Sequence, residues 1–283
     1  MTDTQQRAAI IDFDSPDSFP RELGQWDNSF ENMILNKVTV NHNTKWWEIR
    51  SQLFDLDIKY YPIVENYLQS HMDTEVAISH VTRIIDIEQF KKEGLIESGG
   101  RGFAGENRIR KLLYSIGVDK AMTERIMSNV YYYWDRDKID RTQGVHFQID
   151  RKNILATPGS IEFASNLGGE ILRRSLEACD KNLYRIEPYK RLWIWGTPRI
   201  VKFRCKLANI CSWSQASLLA EIVMYYIVTN LYGRDSSQYV FSFDGKTIDS
   251  VPPENIISTD EIPGFIAMQE QFDEYVGFYD ELK

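Results

Sequence analysis

His80 and Thr82 stand two residues apart in VAISHVTRI, a β-branched run that reads as a strand from Val76 onward. An imidazole and a hydroxyl both give and take hydrogen bonds near neutrality, so the pair suits a polar ligand that must be held without a fixed charge. Arg83 follows at once, and Arg101 and Arg108 lie in GRGFAGENRIRK. A guanidinium fork matches phosphate oxygens in a bidentate way, so these arginines are candidates for a phosphate-bearing ligand. His146 and Phe147 lie in a second short apolar run, QGVHFQID. Farther on, Glu221 in LLAEIVM and Gln238 in SSQYVFSFDGKTI differ in what they can do. A carboxylate can take a proton or stabilise positive charge, whereas an amide can only hydrogen-bond. Cys179, Cys205 and Cys211 form an odd set without CxxC spacing, and with four histidines they make no zinc-ligand pattern. They are expected to be reduced.

The elements that must position these residues alternate irregularly. VAISHVTRI leads into DIEQFKKEGLI, where Ile87, Phe90 and Leu95 fall on one helical face and Gly94 supplies the stop. GRGFAGENRIRK reads as a mobile loop entering a basic helix, and helical periodicity returns over Asn107 to Ile116 and Thr123 to Trp134. TPGSIEFASNLGGEILRRSLEA starts at a Pro-Gly turn and continues as a helix. GTPRIVKFRCKL sets Ile200, Phe203 and Cys205 against Lys202, Arg204 and Lys206 and reads as a half-exposed strand. SWSQASLLAEIVMYYIVTNLYG follows as a long helix, and SSQYVFSFDGKTIDSVPPENIIS reads as a hairpin turning at Asp244-Gly245. Strands and helices without regular βα alternation predict an α+β fold. Residues 1–75, with an aromatic helical stretch from Trp46 to Tyr67, read as an N-terminal helical extension, and residues 76–283 as the main domain.

SHVTRIIDIEQFKKEGLI resembles the first signature of the ADP-ribosyltransferases, a strand bearing His-x-Thr followed by a helix ending in Gly-Leu. The likeness is closest to DarT-like DNA-modifying toxins and to the H-Y-E class that includes the poly(ADP-ribose) polymerases. It implies a split β-sandwich with helices, NAD as co-substrate, no metal, and a pocket in which His80, Val81 and Thr82 hold the nicotinamide ribose and amide. Clamping NAD in a bent shape lets the ribose–nicotinamide bond ionise. Gly144 to Phe147 is similar to the family's G-x-Tyr-F strand, with His146 at the stacking position, and Ser160 to Ser165 to the helix flanking the nicotinamide pocket. Arg83 and Arg101 are the implied pyrophosphate contacts. For the catalytic Glu the resemblance leaves alternatives: Gln238 by likeness to the polymerases' late strand, Glu221 by likeness to the toxins' Ala-Glu-x-Leu-Val strand, or a loop acid such as Asp235 or Asp244. Glu221 lies in a stretch of good helical periodicity.

The acceptor is read from charge. The chain carries 33 Lys and Arg against 41 Asp and Glu, a net charge of −8, which excludes a protein that coats nucleic acid through general positive charge. Yet Arg185, Lys190, Arg191, Arg199, Lys202, Arg204 and Lys206 crowd into one segment, interleaved with Tyr184, Tyr189, Trp193, Trp195 and Phe203, while the chain beyond Phe243 is strongly acidic. Planar side chains beside cations suit single-stranded nucleic acid. The expected activity is therefore mono-ADP-ribosylation of a base in RNA or single-stranded DNA by a bacterial toxin or anti-phage effector, Arg191, Trp193, Trp195, Arg199, Lys202 and Arg204 binding the acceptor. Such an activity implies a neutralising antitoxin partner. A protein acceptor, or a site that binds NAD, ADP-ribose or a partner without turnover, are the alternatives. No uncharged apolar stretch reaches membrane-spanning length and no secretion signal opens the chain, so a cytoplasmic protein without membrane partners is expected. If Gln238 faces the ribose, Gln238→Glu should raise NAD hydrolysis, measured as nicotinamide release; an unchanged rate removes that position from the site.

Overall fold

The computed structural model describes residues 10–15, 36, 38–39, 41, 44–45, 48–49, 51–52, 72–97, 100–136, 143–156, 169–180, 196–226 and 244–262. Within them the chain is a mixed α+β structure built on a six-stranded sheet that is antiparallel apart from its first, two-residue strand. The elements in order are β1 (Ile11–Asp12), β2 (Glu75–Ile84), α1 (Ile87–Glu93), α2 (Ala104–Ser115), α3 (Lys120–Arg136), β3 (His146–Gln148), α4 (Arg151–Ala156), α5 (Gly169–Cys179), β4 (Thr197–Lys206), α6 (Ser212–Tyr226), β5 (Asp244–Lys246) and β6 (Ile256–Glu261). The strand order is β5-β3-β2-β4-β6.

β2 is the spine. It is a run of β-branched and small residues, and seven of the nine positions from Val76 to Ile84 are buried on one face or the other, with only His80 and Thr82 among them half-exposed. β4 pairs with it along its whole length, from Glu75↔Lys206 to Ile84↔Thr197. Its other edge is shared: β1 takes Val76 and Ala77, and β3 takes Ser79 opposite Gln148. Ile11–Asp12, in the segment expected to be a helical extension, thus contributes a sheet strand, while most of the Trp46 to Tyr67 stretch lies outside the described residues.

Helix α1 begins with Asp86 accepting from the Glu88 and Gln89 amides and ends where Gly94, at φ 72°, donates to the Phe90 carbonyl. The stop is glycine because Gly94 also lies against β6's approach, where a Cβ would come within 2.2 Å of the Val251 carbonyl oxygen. The expected helices after the glycine loop are α2 and α3. They pack with α5 around Leu113, Ile116, Ile126, Met127, Val130, Trp134, Leu172 and Leu176, all buried. Fully burying one such side chain stabilises by about 1.5–3 kcal/mol, so this cluster is a main source of cohesion among the three helices.

Two expectations are corrected here. Asp244-Gly245 is not a hairpin turn but part of β5, paired with β3 through Phe147↔Gly245 and His146↔Lys246. Glycine stands there because the Phe147 ring fills the space a side chain needs: a Cβ would lie 2.3 Å from its Cζ. On β4, Ile200 does not share the face of Phe203 and Cys205. It lies with Val81, Ile154 and Ile262 in a separate cluster on the opposite face, because strand side chains alternate strictly. The bases are consequently split between the faces: Arg199 lies on one, Lys202 and Arg204 on the other.

Gly144, at φ 66°, enters β3 so tightly that a Cβ would lie 1.8 Å from the Thr247 carbonyl oxygen, whereas Gly117, at φ 90°, has nothing within 4 Å. Gly117→Ala should cost about 1–2 kcal/mol from the left-handed conformation alone. Gly144→Ala should cost clearly more, because backbone must also move; equal urea midpoints for the two variants would contradict this packing.

Candidate functional site

The site begins where β3 leaves β2. Beyond the single pairing of Ser79 with Gln148, the ring of His80 takes over, its Nδ1 lying 2.7 Å from the His146 carbonyl oxygen. A carbonyl oxygen only accepts, so Nδ1 carries the proton. Burial lowers the His80 pKa to about 4, against the bond to the His146 carbonyl, which raises it; the nearby His146 imidazole adds to the lowering. The ring is therefore neutral at physiological pH, and Nε2 is left as an acceptor.

The start of β3 is itself fixed from three sides. The Gly144 amide donates to Glu97 Oε2 at 2.8 Å, the Val145 amide donates to Thr247 Oγ1 at 2.8 Å, and the Thr247 amide returns a bond to the Val145 carbonyl at 3.0 Å. These hold the carbonyl that orients His80. Glu97 was not singled out in the sequence; its only signal is a carboxylate shortly after the Gly94 helix stop.

Strand alternation puts Thr82 on the face of His80, half-buried, and Val81 and Arg83 on the other. Arg199 opposes Thr82 on β4, and Glu261 opposes Arg199 on β6, so a row Thr82–Arg199–Glu261 crosses the sheet on the His80 face. Within it Arg199 Nη2 donates to Glu261 Oε1 at 2.9 Å and Nη1 to the Thr259 carbonyl at 3.1 Å. Val81 is core, packed with Ile154, Ile200 and Ile262. Arg83 is buried, its Nη1 donating to the Gly196 carbonyl at 3.1 Å, and burial pulls its pKa down to about 10.

The remaining sequence-derived positions scatter. Phe147 is buried against Gly245 on the His80 face, whereas the exposed His146 side chain lies on the other face, so the hydrogen bond to His80 is made by the His146 carbonyl. Arg101 sits at the loop before α2, its guanidinium 4.1 Å from the centre of the Tyr131 ring and 3.9 Å from Asp135. Glu221 is buried on helix α6, not on a strand as the toxin-like alignment requires. Lys202 donates to Asp12 at 2.7 Å and to Asp14 at 2.8 Å. Burial alone would pull the Lys202 ammonium down, but the two carboxylates outweigh it and raise its pKa. Arg204 donates to the Glu254 carbonyl. Gln238, Ser160, Arg191, Trp193, Trp195 and Asp235 lie outside the described residues, and Asp244 is on β5 opposite Gln148.

Among the described residues, no three His, Cys, Asp or Glu side chains converge as a metal site, and no helix is long and apolar enough to cross a membrane. The three cysteines are free, and burial pushes the Cys205 thiol up to about 12. Comparison of the chain with protein-family models, with curated proteins and with solved structures gives no match.

What the described geometry brings together is a neutral acceptor at His80 Nε2, a hydroxyl at Thr82 and, beyond it, a guanidinium–carboxylate pair. It suits hydrogen bonding to the hydroxyls of a sugar more than proton transfer, because a ring with a pKa near 4 is a weak base. The depressed pKa also has a stability signature. Since the folded value lies below the usual value of about 6.5, the unfolded chain binds this proton more readily. The stability tied to neutral His80 is full above pH 6.5 and is lost as pH falls toward 4. The stability of the parent should fall between pH 6.5 and 5 by more than that of His80→Gln; parallel pH profiles would contradict a ring held neutral by its surroundings.

Proposed function

We propose that the chain is an ADP-ribosyltransferase-like enzyme that transfers ADP-ribose from NAD to a base of RNA or single-stranded DNA. The observation that supports this reading is the meeting of its first two sequence fragments: His80 of the His-x-Thr strand is hydrogen-bonded to the main chain of the strand carrying His146 and Phe147, in the antiparallel sheet of an α+β fold. Nε2 of neutral His80 accepts a bond from a ribose hydroxyl of NAD, and the Thr82 hydroxyl, two residues along the same face, supplies the second contact. Neither side chain adds positive charge beside the oxocarbenium-like centre. The C1′–nicotinamide bond breaks with its electron pair going to nicotinamide, and a nitrogen or oxygen of the acceptor bonds to C1′ and gives up its proton. With Glu221 buried on a helix, Gln238 is the residue proposed to face the ribose. As such an activity harms its own cell, a neutralising partner is part of the proposal.

A protein acceptor is the second reading, and one observation favours it. Arg199, Lys202 and Arg204 are all engaged within the molecule and divided between two sheet faces, so these three do not form one strip for phosphates. Incubating the purified protein with NAD labelled in the adenylate and with total cell extract tests both. Label removed by nuclease supports the first reading, and label removed by protease the second. His80→Ala should abolish labelling while keeping a cooperative melt; full labelling by the folded variant would overturn the pocket assignment.

A further inference from the structure

The exposed side of α3 carries Lys120, Ala121, Glu124, Arg125, Ser128, Tyr132, Asp135 and Arg136, with no Val, Leu, Ile, Met or Phe. Its last two turns are instead a cluster of flat groups. Tyr132 is 60% exposed, and its ring meets that of Tyr133 edge to face at 5.5 Å between centres. The Arg136 guanidinium lies 5.8 Å from the first ring and 5.3 Å from the second. Alongside, Arg101 covers Tyr131 and approaches Asp135.

A hydroxyl-bearing ring that exposed is not needed by the helical core, which is completed by Trp134, Val130 and Met127 on the opposite side of α3. We infer that the C-terminal end of α3 is a docking surface for unpaired nucleobases, with Tyr132 as the stacking ring and Arg136 meeting the adjoining phosphate. Planar aromatic faces are sequence-tolerant partners for bases, and a guanidinium beside them both stacks and pairs with phosphate oxygens. A protein partner is the less fitting occupant, because protein interfaces are depleted in Lys, Glu, Asp, Ser and Ala, the residue types of Lys120, Ala121, Glu124, Ser128 and Asp135 on this face. Charge agrees: of the acids on this side, Glu124 is held by Arg110 and Asp135 lies near Arg101, while Lys120 and Arg125, the latter donating to the neutral Cys179 carbonyl, add positive charge to a chain whose overall balance is acidic.

The inference deepens the nucleic-acid reading by naming where the acceptor strand docks, and in that respect rests on it, but strand binding is measured without NAD. The probe is a fluorescein-labelled single-stranded RNA of about 16 nucleotides and mixed sequence, long enough for several stacked bases, compared with its duplex by anisotropy. The intact chain should bind the single strand more tightly than the duplex. Tyr132→Ala should weaken binding about tenfold, within the range for one lost base–aromatic stack, and Tyr132→Phe should keep it. Arg136→Gln should lower the dependence of log K on log salt by about 0.7, the loss of one phosphate contact. Each variant is first checked for the parent's melting temperature; should Tyr132→Ala not fold, Tyr132→Phe and Arg136→Gln decide. Preference for the duplex, parent-like binding by Tyr132→Ala, or an unchanged salt slope in Arg136→Gln would overturn the surface. Nicotinamide release by the parent is followed separately. Release without strand binding sinks the surface and leaves the reaction, and strand binding without release sinks the reaction and leaves the surface.

Discussion

The ten-residue antiparallel pairing of β2 with β4 is the constraint on which the rest depends. It fixes which side chain of each strand lies on which face, and a shift by one residue would exchange them all. Val81 and Ile200 belong to the apolar cluster under α4, and that burial locks the register. His80, Thr82 and Arg199 then have no choice but the other face. The chemistry of the site is therefore set by apolar packing on the side of the sheet that carries no chemistry.

Polar contacts do the finer positioning. β1 is only two residues long and too short to hold itself in a sheet, yet Asp12 and the adjoining Asp14 both take the Lys202 ammonium. Asp14 also accepts the Arg151 amide at the start of α4, and the Arg151 side chain pairs with Asp260 of β6 at 2.9 Å. A single exposed ion pair contributes about 0–1 kcal/mol, but here half-buried groups share partners across four elements. Removing Lys202 would take the same ammonium from both Asp12 and Asp14. A second network ties the α2–α3 pair: Tyr131 donates to Glu106, and Arg110 binds Glu106, Glu124 and the Tyr131 hydroxyl. The Tyr131 bond, with smaller help from the Gly102 amide and Arg110, holds the Glu106 carboxyl below its usual range. Glu106 thus fastens the glycine loop to the helices.

Much of the sheet was legible because its strands are dense in β-branched residues and its helices carry punctuation such as Asp86 and Gly94. Asp244-Gly245 was misleading for a physical reason: a glycine that admits a neighbouring ring and a glycine that turns the chain look alike in sequence. The half-site at His80 and Thr82 could be read locally, two residues apart on one strand. What could not be read was long-range. Lys202 and Asp12 are separated by 190 positions, and Glu97 reaches Gly144 across 47, so nothing local told a half-buried, ion-paired structural cation from one open to a phosphate. The basic segment looked continuous in sequence, yet strand alternation divides its described members between two faces.

The central claim is that His80 is a neutral, Nδ1-protonated ring whose Nε2 awaits a ribose hydroxyl. Nitrogen-detected NMR of the chain labelled in its histidine rings tests it most directly, His80 being assigned by loss of its signals in His80→Gln. At pH 6.5 the His80 ring should show one protonated nitrogen, Nδ1, and one bare nitrogen, Nε2, and the Nε2 resonance should move on addition of NAD while Nδ1 keeps its proton. A doubly protonated ring at that pH, or an Nε2 resonance indifferent to saturating NAD, would contradict the account.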